Sequence, residues 1–109
     1  MPSYARHTMS LNNSEQHRTS AELTANLELS GLDLAEVQAD LDFTPIRLAS
    51  TLALDNAEPV DVWLLRDYLD QVIIDRGRMP LPYTTLTEQA RVNANRWFSL
   101  QVAPRHEAD

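Results

Sequence analysis

At 109 residues, with 43% hydrophobic and 23% charged side chains, the chain has the composition of one globular domain and not of a disordered segment. The absence of cysteine removes disulfide frameworks and thiolate metal sites, and makes a cytoplasmic setting the expectation. A net charge of −7 disfavours general affinity for nucleic acid, which depends on neutralising phosphates.

In chain order, residues 1–8 show no periodicity and no apolar signal-peptide core. Met9 before Ser10-Leu11-Asn12 reads as an alternative start, so 1–8 are expected to be a disordered extension. A single helical domain is expected over 9–101 and a disordered tail over 102–109. Asn12 or Asn13 is a candidate N-cap, with Glu15 three residues after Asn12 as in a capping box. The first helix is expected to reach Ser30, with Leu23 and Leu27 on one face, and Gly31 to end it in the left-handed conformation.

Asp33 should cap a second helix whose apolar stripe is Val37 and Leu41. Thr44 as N-cap and Pro45 at the first helical position should open a third, with Leu48 and Leu52 turned to the core. After the Asp55–Pro59 loop comes the strongest helical period, Leu65, Tyr68, Leu69, Val72 and Ile73. Gly77 should end that helix. Arg78–Tyr83 should be extended, because residues before proline avoid the helical region. Thr85 with Glu88 predicts a capping box opening a fifth helix through about Phe98.

The expected fold is therefore all-α, a compact five-helix bundle with a central helix-turn-helix, lambda-repressor-like in style. The motif rests on Val37, Leu41, Phe43 and Leu48 at its apolar positions. Gln38 stands where a small residue usually lets the helices approach, and Asp42 where glycine usually turns the chain. Aspartate tolerates that left-handed turn better than most residues. In such docking, Thr44, Pro45, Ile46, Arg47, Ser50 and Thr51 would face a DNA groove, with Arg47 able to bind guanine bidentately. The bland reading makes Arg47 a solvated surface arginine.

Charge opposes that function. Residues 33–75 carry ten acids against Arg47 and Arg66, whereas 76–105 carry five arginines against Glu88. A DNA-binding version needs the basic segment beside the third helix; otherwise it pairs with the acidic half, within the fold or across a dimer.

The set Ser10-Leu11-Asn12, Leu29-Ser30-Gly31-Leu32, Trp63-Leu64-Leu65-Arg66-Asp67-Tyr68-Leu69-Asp70-Gln71, Gly77 and Pro80-Leu81-Pro82-Tyr83-Thr84 resembles the bacterial family Domain of Unknown Function 2316. The resemblance covers roughly Met9 to Phe98. It implies a small helical protein with a helix-turn-helix-like centre. It brings no established activity, hence no catalytic or binding residues. Members more often carry a small residue and glycine where this chain has Gln38 and Asp42.

Three histidines, His7, His17 and His106, are too scattered for a metal site. No nucleophile–base pair or phosphate-cradling glycine loop is evident. No enzyme activity, cofactor, small-molecule ligand or membrane partner is expected. Asp67 and Asp70 share a helix face, as most solvated acids do, and Arg66 can pair with Asp70 at i+4. Trp63 and Ile74 fall away from the apolar stripe. They could cover the returning Arg78–Tyr83 segment, or form a patch for a partner or a second copy. Trp97 and Phe98 present the same choice.

Two functions follow as expectations. The spacing predicts a helix-turn-helix DNA-binding or transcription-associated protein, as a homodimer. The acidic surface predicts instead a helical protein–protein interaction module that does not bind DNA. The placement of Arg47, Arg76 and Arg78 discriminates between them.

Overall fold

The computed structural model describes residues 12–96, 100 and 102–106. Expectations for residues 1–8, for Met9 as the start, for Trp97 and Phe98, and for 107–109 lie outside them. Among the described residues there are five α-helices and no strand: α1 Asn13–Ser30, α2 Leu34–Leu41, α3 Pro45–Ala53, α4 Pro59–Asp75 and α5 Glu88–Asn95.

Local chemistry sets most of the boundaries. Asn12 accepts from the Glu15 amide at 2.8 Å while Glu15 accepts from the Asn12 amide at 3.1 Å, closing a capping box. Asp33 and Glu36 repeat the arrangement at the start of α2. Gly31 ends α1 at φ +77°, where an added Cβ would stand 3.0 Å from the Arg76 guanidinium. Asp42 ends α2 in the left-handed region at φ 59°, in the position where glycine is usual. The turn Asp42-Phe43-Thr44 then leads into α3, whose first amide partner is the Thr44 hydroxyl, accepting from Arg47 N–H at 3.1 Å.

One boundary differs from expectation. Thr87, not Thr85, caps α5, its hydroxyl accepting from the Ala90 amide at 3.2 Å. The cause is tertiary. Leu86 is buried and its carbonyl accepts from Arg66 Nε at 2.8 Å, while Thr84 is tied to Glu22 by its amide and hydroxyl. These bonds hold 84–86 out of the helical path. The helix is described to Asn95, with Arg96 as its cap.

α4 is the axis of the core and packs against α1 and α3, while α1 also lies against α3. Val62, Trp63, Leu64, Leu65, Tyr68, Leu69, Val72 and Ile73 are all buried, so its apolar surface runs nearly all round. Leu23, Val37, Leu41 and Leu48 close on it from α1, α2 and α3, and Phe43 from the turn between α2 and α3. The extended 78–83 segment and Leu86 cover the remaining side.

That segment is fastened by Asn26, which is fully buried. Its amide donates to the Leu81 carbonyl at 3.0 Å and accepts from the Leu81 N–H at 2.8 Å. A side chain thus supplies both partners that a neighbouring strand would supply.

Candidate functional site

Three side-chain clusters carry the charged chemistry of the molecule. The first lies on the α2–α3 unit. Arg47 projects from the first turn of α3, donating from Nε to Asp61 Oδ2 at 2.8 Å and from Nη2 to Asp61 Oδ1 at 2.7 Å. Its guanidinium lies over the Phe43 ring, 4.2 Å from the centroid. The Asp61 bond first, with lesser contributions from Asp42 and Glu58, holds the guanidinium above its ordinary range. The Asp61 side chain is 7% exposed and that of Arg47 is 49% exposed. This is a fork-to-fork pair with one partner inside the protein.

The neighbouring candidates are similarly engaged. The Thr44 hydroxyl is consumed by the helix cap. Thr51 is 1% exposed and donates its hydroxyl to the Arg47 carbonyl at 2.7 Å, so its placement as a groove-facing residue is corrected: it belongs to the interior. Ser50 is half-buried, and its carbonyl receives the Asp55 amide. Pro45 and Ile46 stand on the surface, Ile46 at 80% exposure.

The Arg47–Asp61 geometry makes a stability prediction. Removing one partner of a buried pair costs roughly 3–5 kcal/mol, and the half-exposed guanidinium reduces this to about 2 kcal/mol for Arg47→Ala. Adding Asp61→Asn should recover most of the loss, because no buried charge is then stranded. Urea denaturation of the two variants checks both values.

The second cluster surrounds Arg66 on α4. Its Nη1 donates to Asp67 at 3.0 Å and Asp70 at 3.2 Å, and its Nη2 lies 3.6 Å from Glu88. The guanidinium sits 4.8 Å from the Tyr83 ring centroid and 5.5 Å from that of Trp63. Arg91 on α5 completes the group, reaching Asp67 with both terminal nitrogens and Glu88 with Nε, and lying 4.9 Å from the Trp63 ring. Hydrogen bonding to Asp67 pushes the Arg91 guanidinium up, against its partial burial. Burial is the largest influence on Asp70 and raises its carboxyl above the usual range. The cluster joins α4, α5 and the 83–86 turn.

Trp63 is therefore not a partner surface. It is 4% exposed, sealed by the two guanidiniums, and meets the returning segment through Arg66. Of the two alternatives, an exposed patch shared with Ile74 is corrected for Trp63, which is covered instead. Ile74 alone is exposed, at 55%.

The third cluster lies where α2 passes α4. Tyr68 donates its hydroxyl to Asp40 Oδ2 at 2.5 Å, and the same oxygen faces His106 Nδ1 at 2.5 Å. His106 Nε2 lies 3.9 Å from Glu36, and Arg105 Nη2 lies 2.7 Å from Asp75 at the end of α4. The described part of the tail, 102–106, is thus seated on the domain. Burial opposes the Asp40 carboxylate, but bonds from Tyr68 and His106 prevail and hold it below the usual range. Burial, then Asp40, pushes the Tyr68 phenol far up, so it remains a donor.

The discriminating arginines are each bound within the fold. Arg76 donates to the Ser30 carbonyl and Arg78 to the Leu29 carbonyl at 3.1 Å, both at the far end of α1, where helix carbonyls lack intrahelical partners. Arg47 is committed to Asp61.

No group of three or more metal-ligating side chains able to hold an ion is found among the described residues, and no described helix is long and apolar enough to cross a membrane.

Residues 9–99 match the family described as "Uncharacterized protein conserved in bacteria (DUF2316)", and the chain belongs to that family. No curated protein and no solved structure matches the chain.

Proposed function

We propose that this protein is an acidic helical interaction module, built on a helix-turn-helix-like scaffold, that binds a positively charged protein partner and does not read DNA. The observation that carries the reading is the commitment of Arg47, the best base-reading candidate, to Asp61 among Asp42 and Glu58. Bringing that guanidinium to a phosphate or a guanine would strand a buried carboxylate and drive nearby acids toward the DNA backbone. Five further arginines are likewise engaged within the fold: Arg66 and Arg91 are bound to Asp67, Arg105 to Asp75, and Arg76 and Arg78 to α1 carbonyls.

An acidic surface of this kind favours encounter with basic partners and repels polyanions. A titration of the full chain with an arginine-rich peptide, followed by amide NMR, tests the reading. Shifts are expected within residues 33–75, and should shrink as salt rises from about 50 to about 200 mM. Absence of any shift at millimolar peptide would overturn it.

A further inference from the structure

The tail contact does more than close the chain. It puts the only described basic side chains of residues 100–106, Arg105 and His106, onto three carboxylates of the acidic half. We propose that the face formed by Glu36 and Asp40 of α2 and Asp75 of α4 is a docking site for an extended partner segment bearing an imidazole and a guanidinium, and that the chain's own residues 102–106 occupy it as a built-in competitor.

The face is shaped for such a segment. His106 is its anchor: the side chain is 15% exposed and both ring nitrogens point toward carboxylates. Asp40 is held in place for this by Tyr68, which is itself fully buried in the core. Arg105, with 67% of its side chain exposed, sits on the Asp75 rim as a looser second contact. Ala103 and Leu100 lie half-buried against the core, whereas Val102 is 95% exposed. The occupant is therefore a short non-helical segment whose consecutive residues Arg105 and His106 both meet carboxylates. It is held by the Arg105–Asp75 ion pair, the His106 contacts and one small apolar residue, not by a large apolar surface.

Weak, partly exposed ion pairs are easily exchanged for equivalent ones. Attachment in cis nevertheless gives the tail an effective concentration on the order of millimolar, so a free partner must outcompete it. The partner is assigned as a basic protein segment because the seated residues are basic and the site is acidic. This inference rests on the interaction-module reading and specifies where the partner binds.

The test uses full-length protein and a labelled peptide, Leu-Gln-Val-Ala-Pro-Arg-His, as the probe. Arg105→Ala with His106→Ala should free the face and raise peptide affinity about tenfold, as expected if the tail is docked about nine-tenths of the time. Adding Asp75→Asn and Glu36→Gln, surface changes that leave the Tyr68–Asp40 bond intact, should abolish the gain. Equal affinity in wild type and the double variant overturns the proposal. So does a gain that survives Asp75→Asn and Glu36→Gln. The interaction-module reading survives either result if the arginine-rich peptide still binds elsewhere on residues 33–75. Concentration-dependent dimerisation of wild type, lost in Arg105→Ala/His106→Ala, would assign the face to tails exchanged between copies and overturn the assignment to a partner protein.

Discussion

Arg66→Ala should be strongly destabilising, lowering stability by about 3–5 kcal/mol. The guanidinium is almost fully enclosed, and its removal takes the donor from the Leu86 carbonyl and from Asp70, leaving Asp67 to Arg91 alone. It also opens the space between Trp63 and Tyr83. Against a total stability of roughly 5–15 kcal/mol, the loss brings the domain near its folding threshold. A fall in the thermal midpoint of more than about 10 °C is expected in a calorimetric or circular-dichroism melt. Arg66→Lys should recover little, since one ammonium cannot serve a carbonyl and two carboxylates while lying flat between two rings. A small shift for either variant would mean that the cluster is a solvated surface network.

The second large effect is expected at Asn26. Asn26→Ala removes the partners of the Leu81 N–H and the Leu81 carbonyl and leaves a small void under the extended segment, at a cost of about 2–3 kcal/mol. Asn26→Asp distinguishes the clip from simple packing. It preserves volume and still accepts from the Leu81 N–H, but it turns an acceptor toward the Leu81 carbonyl. It should therefore be at least as destabilising as alanine. Amide exchange should show selective loss of protection over 78–86, the stretch that depends on the clip, with α2 and α3 less affected. Uniform loss across the chain would contradict that assignment.

What the sequence disclosed was chiefly local. Asn12, Asp33 and Thr44 cap helices because short polar side chains are held within three residues of the amides they serve. Gly31 and Asp42 turn the chain because few other residues tolerate positive φ. The period of Leu65, Tyr68, Leu69, Val72 and Ile73 found the core face of α4. It did not show that the opposite side is buried too. Arg66, Asp67 and Asp70 read as a solvated face because their covering, Tyr83, Leu86 and Arg91, arrives from residues far along the chain.

The same limit applies to the site. Nothing local to Arg47 announces Asp61, which lies 14 residues on and is brought beside it only when α4 packs on α3. Arg105 and His106 looked like tail residues because their carboxylate partners are 30 to 66 residues away. For Asn26 a signal was available. Thr19, Leu23, Asn26 and Ser30 recur at three- and four-residue steps and are all buried, so a lone amide on the inner face of α1 implies a backbone partner.

The claim that this scaffold does not read DNA is tested most directly by titrating labelled mixed-sequence duplex with the full-length protein at about 50 mM salt, where phosphate contacts are strongest. No binding is expected up to high micromolar protein. Binding that weakens steeply with added salt and is reduced by Arg47→Ala would contradict the account, because it would mean that Arg47 leaves Asp61 for the nucleic acid.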